Sequence, residues 1–99
     1  MPRWEMCRIE REIREVGTFR KKRLFSLVAI IDTLNGPKII DKSAEYEEVN
    51  IYDDRAMKKF NETNQREYSG LVSRLLADDW EPLSTKEYGW VMSFRRQVP

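Results

Sequence analysis

The chain has no histidine and a single cysteine, Cys7, among its 99 residues. Without histidine, the usual general base near neutral pH and the commonest metal ligand are both missing. One cysteine allows no internal disulfide and no cysteine-built zinc site. Glycine is sparse, with four residues scattered at 17, 36, 70 and 89, so there is no glycine-rich loop to cradle a phosphate. The longest apolar run, Leu24–Ile31, contains Ser26 and is far too short to span a bilayer, and the first residues lack the apolar segment of a signal peptide. An excess of one charge is lacking as well, since 18 basic and 17 acidic residues leave a net +1. A general nucleic-acid or membrane-surface binder usually carries a stronger basic excess. The expectation is a soluble, cytoplasmic protein that is not an enzyme and uses neither cofactor nor metal.

What is present suffices for a core. Hydrophobic residues make up 40% of the chain and aromatics 11%, whereas disorder requires low hydrophobicity with a large net charge. A chain this short builds one core, so residues 1–99 are read as a single domain. The clearest element is a strand at Leu24–Ile31, LFSLVAII, rich in β-branched and aromatic types. Both its faces are apolar, which predicts a central strand covered on both sides. Asn35-Gly36 tolerate positive φ and are placed at a hairpin turn. Pro37 follows, limiting how soon pairing resumes before a short returning strand, Lys38–Lys42.

Ser43–Asp54 is acidic and irregular. One or two helical turns are expected over Arg55–Asn61, capped by Asp53 or Asp54. The main helix is placed from about Glu62 to Ala77, with Tyr68, Leu71, Val72, Leu75 and Leu76 on one face. Gly70 weakens it and is read as allowing close approach to the sheet. Asp78-Asp79 ends it, because Asp tolerates the left-handed conformation. Strands then follow at Trp80–Ser84 and Gly89–Arg96 around a turn at Thr85–Tyr88, with Trp90, Met92 and Phe94 forming an apolar row.

Residues 4–16, WEMCRIEREIREV, are ambiguous. Met6, Ile9, Ile13 and Val16 recur at helical spacing, which would make Gly17 a C-cap. Read as a strand, Cys7, Ile9 and Ile13 share a face on which Arg11 intrudes, and the local pattern slightly favours helix. A resemblance tips the balance to strand. Trp4-Glu5, Leu71-Val72, Leu75-Leu76, Asp79-Trp80-Glu81-Pro82 and Phe94-Arg95-Arg96 resemble the pattern of a family of short bacterial proteins catalogued as domain of unknown function 4177. The family usually has glycine where this chain has Asp79, and residues 17–61 are longer than its minimal form. The resemblance implies an α+β domain with a helix against an antiparallel sheet, and it implies no activity. The expected order is β-β-β-α-β-β, with about five strands and one main helix on one face.

Candidate sites are few. Arg20, Lys21, Lys22 and Arg23, flanked by Phe19 and Phe25, are candidate nucleic-acid contacts, which Arg95 and Arg96 would extend if they were neighbours. A solvated loop whose lysines discourage edge pairing is the plainer account. The acidic stretch Asp41–Asp54 has oxygen donors for a cation but neither EF-hand spacing nor glycine, so a solvated loop, or one meeting the basic loop of a second copy, is preferred. Trp80, Trp90 and Phe94 are candidate lining for a small-ligand pocket between helix and sheet, although tryptophans in small sheets mostly pack. Glu5 and Glu81 lack partners for acid–base work, and Cys7, among apolar neighbours, reads as packing. One helix cannot cover a five-stranded sheet, and the surplus apolar surface predicts a protein-interaction or self-association module, a homodimer in the simplest case. Single-stranded nucleic-acid binding and ligand sensing are the alternatives.

Overall fold

A computed structural model describes residues 3–50, 52–83, 86–87 (backbone only) and 90–98. The architecture is α+β. The strands are β1 (Arg3–Val16), β2 (Lys22–Thr33), β3 (Gly36–Lys42) and β4 (Tyr46–Glu47). The helix α1 (Asp54–Ala77) follows, and then β5 (Glu81–Pro82), β6 (Lys86–Glu87), β7 (Trp90–Val91) and β8 (Ser93–Val98). The main sheet is antiparallel in the order β3-β2-β1-β8-β5, with β4 also on β2, while β6 and β7 form a separate pair. The expected turn at Thr85–Tyr88 and the strand ends at Ser84 and Gly89 lie largely outside the described residues.

Residues 4–16 form a strand, not a helix. β1 pairs with β2 from Cys7–Ile31 to Val16–Lys22, and with β8 from Arg3–Val98 to Arg8–Ser93. Partners on both sides satisfy its backbone, which outweighs a local pattern compatible with either structure. Gly17 is therefore a loop residue. Its φ of +101° suits glycine, and a Cβ there would lie 2.3 Å from the Arg20 carbonyl oxygen. The β2–β3 hairpin also differs from expectation. The turn is at Leu34-Asn35, and only Gly36 takes positive φ, at +107°. The Thr33 hydroxyl fastens it, donating to the Gly36 carbonyl at 2.7 Å and accepting the Asn35 N–H at 3.2 Å. Pairing resumes at Gly36, with Pro37 opposite Asp32 on an edge strand where a missing donor is tolerated.

The two expected helical segments are one. Asp53 caps α1, its Oδ1 accepting the N–H groups of Arg55 at 3.0 Å and Ala56 at 3.1 Å. Leu71 and Leu75 are buried against Cys7, Ile9, Leu27, Ala29, Trp80 and Phe94. Gly70 does not mediate close approach: a Cβ there would meet only the Arg74 guanidinium, at a comfortable 3.6 Å. The other half of the helix packs a smaller aromatic group, Phe25, Tyr46 and Phe60, with ring centroids 5.4–6.2 Å apart. Arg11, which intruded on the apolar face of β1, lays its guanidinium over the Phe25 ring at 5.4 Å. At the other end, Asp79 takes φ +67°, the Asp79 N–H reaches the Leu76 carbonyl, and the Trp80 N–H reaches the Leu75 carbonyl. This is a Schellman stop, and it folds Trp80 back onto Leu75.

Candidate functional site

The two basic segments are not brought together. Lys22 is paired with Val16 at one end of β1, whereas Arg95 is paired with Met6 and Arg96 with Glu5 near the other. Ten residues of strand at ~3.3 Å each place them about 33 Å apart. Arg20 and Lys21 lie exposed in the loop. Lys22 binds Glu47 at 3.3 Å and Arg23 binds Glu48 at 3.2 Å, because β4 pairs alongside the start of β2. Several carboxylates of the acidic stretch thus meet basic residues of their own chain. Asp41 is held by Arg74 and Glu45 by Arg14, and the Arg14 guanidinium draws the Glu45 carboxyl below the ordinary carboxylate range.

Arg95 and Arg96 sit on opposite faces of β8. Arg96 is on the helix side. It donates to Glu5 Oε2 at 2.8 Å and to the carbonyl and carboxylate of Asp78 at 3.2 and 3.0 Å, with its guanidinium 4.4 Å above the Trp80 ring. It therefore ties the C-terminus of α1 to the sheet. Arg95 is on the other face, stacked 4.4 Å above the Trp4 ring and donating to Glu81 at 3.3 Å.

Two of the three residues expected to line a pocket between helix and sheet pack in the core instead. Trp80 is 2% exposed and Phe94 0%, both inside the core. Trp90 stacks on Tyr68 at 4.2 Å, and the Tyr68 hydroxyl donates to the Val91 carbonyl at 2.6 Å. The strand is interrupted at Met92, between β7 and β8, so Val91 and Met92 both pack on the core and the expected simple alternation fails there. Cys7 is buried, and burial pushes its thiol up to about 11, so it is protonated and unreactive at neutral pH.

The helix-free face of the sheet has two regions. Over the middle of β2, Ser26, Val28 and Ile30 are buried on the face turned away from α1. Long side chains cover them there. Lys42 on β3 reaches Glu12 on β1 at 3.5 Å, and Arg14 on β1 reaches Glu45 beyond β3 at 2.8 Å. Both ion pairs bridge across β2, since Lys42 lies opposite Val28, Glu12 opposite Ser26 and Arg14 opposite Leu24, so their methylene stems are placed to shield it. The strand is thus covered on both sides as expected, but by charged side chains on one of them.

At the far end this shielding stops and the sheet forks. Pairing of β1 with β2 begins only at Cys7–Ile31, while Arg3–Met6 follow β8 and Asp32–Thr33 follow β3. The fork leaves an open groove of about 730 Å³ whose lining includes Trp4, Met6, Ile31, Asp32, Leu34 and Val98. Around it Trp4 is 45% exposed, Met6 53%, Ile39 51%, and Leu34 fully. Sequence reasoning missed this region, because Trp4, Leu34 and Ile39 are distant in the chain and only the sheet order gathers them. Among the described residues, no group of acidic and cysteine side chains is placed to hold a metal ion, and no helix is long and apolar enough to cross a membrane. Comparison with protein-family models, curated proteins and solved structures finds no match to this chain.

Proposed function

We propose that this protein is a small, non-enzymatic interaction domain that associates with a second copy of itself through the forked end of its helix-free face. One observation carries the reading: Trp4, Met6 and Leu34 line one open groove with much of their apolar surface exposed, and Ile39 is half exposed on the neighbouring strand, while ion pairs bridge the rest of that face. Contiguous exposed apolar surface rimmed by charge is the usual mark of an interaction site. The chemistry is otherwise quiet. The one thiol is buried and protonated, and the glutamates considered for acid–base work hold arginines, Glu5 with Arg96 and Glu81 with Arg95. A lone buried thiol suits a reducing, cytoplasmic setting.

Sedimentation equilibrium over a wide concentration range tests the proposal. The protein is expected to dimerise, and Met6→Glu to prevent it. Burying a side chain of this size contributes about 1.5–3 kcal/mol, and a two-fold interface counts it twice. Because Met6 is half exposed in the single chain, the variant is expected to melt like the wild type in solutions dilute enough for both to be monomeric. A wild type that remains monomeric throughout would refute the reading.

A further inference from the structure

Strand register fixes which charges flank the apolar end. Arg95 lies opposite Met6 on one side. Beyond the last β1–β2 pair, Cys7–Ile31, Asp32 stands across the open groove from Met6, on its other side. Both charged side chains are on the helix-free face, since Arg8 on that face bonds Asp32 at 2.8 Å and Trp4 on that face carries Arg95. An acid and a base therefore bracket a central apolar residue. One row further in, Ile39 stands on the β3 side and Leu83, whose N–H donates to the Ser93 carbonyl, stands on the β5 side.

Resting on the self-association proposed above, we infer that two copies stack face to face about a two-fold axis running parallel to β1, so that Met6 meets Met6 and Asp32 of each copy opposes Arg95 of the other. The charge arrangement selects this axis. Rotation about an axis across the strands would put Asp32 on Asp32 and Arg95 on Arg95, and like charges brought together at an interface are costly. Rotation about the strand direction makes both contacts complementary and also sets Ile39 of one copy against Leu83 of the other. Both groups retain bonding capacity. Among the described residues, Arg95 uses only Nη2, on Glu81, and Asp32 uses only Oδ2, on Arg8, with its side chain 73% exposed. The same axis sets Arg8 against Arg8, one like-charge contact against two complementary ones, and each Arg8 carries Glu10 and Asp32 at 2.8 Å. A net charge of +1 opposes the approach of two copies only weakly.

Charge reversal decides the geometry. Asp32→Arg alone and Arg95→Asp alone each create two like-charge contacts per dimer and are expected to be monomeric where the wild type is dimeric. An equimolar mixture of the two is expected to form the heterodimer, because both contacts then become opposite-charge pairs. If Arg95→Asp fails to fold by circular dichroism, Asp32→Asn and Arg95→Gln replace the reversals. Each is then expected to weaken the dimer by about tenfold, and the double variant no more than either single one. A wild-type dimer that Met6→Glu abolishes, but whose charge variants neither weaken singly nor couple, would overturn the axis and leave self-association standing. A monomeric wild type would overturn both.

Discussion

Asp79 takes a φ of +67° at the end of α1, in the position where glycine ordinarily ends a helix. Two bonds depend on that conformation: the Asp79 N–H to the Leu76 carbonyl at 3.2 Å and the Trp80 N–H to the Leu75 carbonyl at 3.0 Å. They turn the chain so that Trp80 packs on Leu75, both 2% exposed. A side chain in the left-handed region costs about 1–2 kcal/mol, with Asp at the low end. Replacement by Gly removes that cost but frees the unfolded chain, which returns about 0.4–1 kcal/mol. Loss of a negative charge at the helix C-terminus adds about 0.3–1 kcal/mol in the folded state's favour. Asp79→Gly is therefore expected to stabilise by about 1 kcal/mol, raising Tm by about 4–8 °C for a domain of this size. Asp79→Asn, which removes the charge but keeps the left-handed tolerance, should fall between Gly and the wild type, and Asp79→Ala below all three. Urea unfolding followed by tryptophan fluorescence measures the series, with a constant m-value as the check that only stability changed. Ala equal to or above Gly would refute the left-handed stop.

Gly70→Ala is expected to stabilise by about 1 kcal/mol, because the helical position has room for a Cβ and glycine carries the larger backbone entropy cost. A loss of stability in thermal melts would show instead that the helix lies closer to a neighbour than 3.6 Å from Arg74 implies. For Cys7, the folded thiol at about 11 lies above its ordinary value of 9.0. The unfolded chain thus releases this proton first as pH rises. The thiol contributes little pH dependence below 9, and stability falls as pH rises from 9 to about 11, by a few kcal/mol at most on the order-of-magnitude relation of ~1.4 kcal/mol per unit. Tyr46 and Tyr68, also raised by burial, act in the same direction. Denaturant midpoints at mildly and strongly alkaline pH should show this fall, and Cys7→Ala should flatten it; an equally steep fall in that variant would rule out the thiol as a cause.

Much of the fold is legible where local chemistry and tertiary need coincide. LFSLVAII is apolar on both faces and can only be an inner strand, whichever side chains cover it. The three- and four-residue steps of Leu71, Leu75 and Tyr68 define the buried face of α1, and an Asp-Asp pair before Trp80 marks its end. These features depend on residues within a few positions of one another. The first segment did not yield so directly, because its apolar spacing fits a helix and its strand partners, β2 and β8, lie elsewhere in the chain.

The candidate site was less legible still. Lys22 and Arg23 read as free basic residues until β4 brings Glu47 and Glu48 beside them. Arg96 read as a ligand contact until its guanidinium was found binding Glu5 and Asp78. Trp80 and Phe94 read as a pocket and are core. By itself the sequence pointed to an α+β fold with an inner apolar strand and one amphipathic helix. Only the tertiary structure decided which charges cancel one another and which apolar residues stay bare. Ion pairs and surface patches are set by distances in space between residues far apart in the chain, and no local periodicity records those distances.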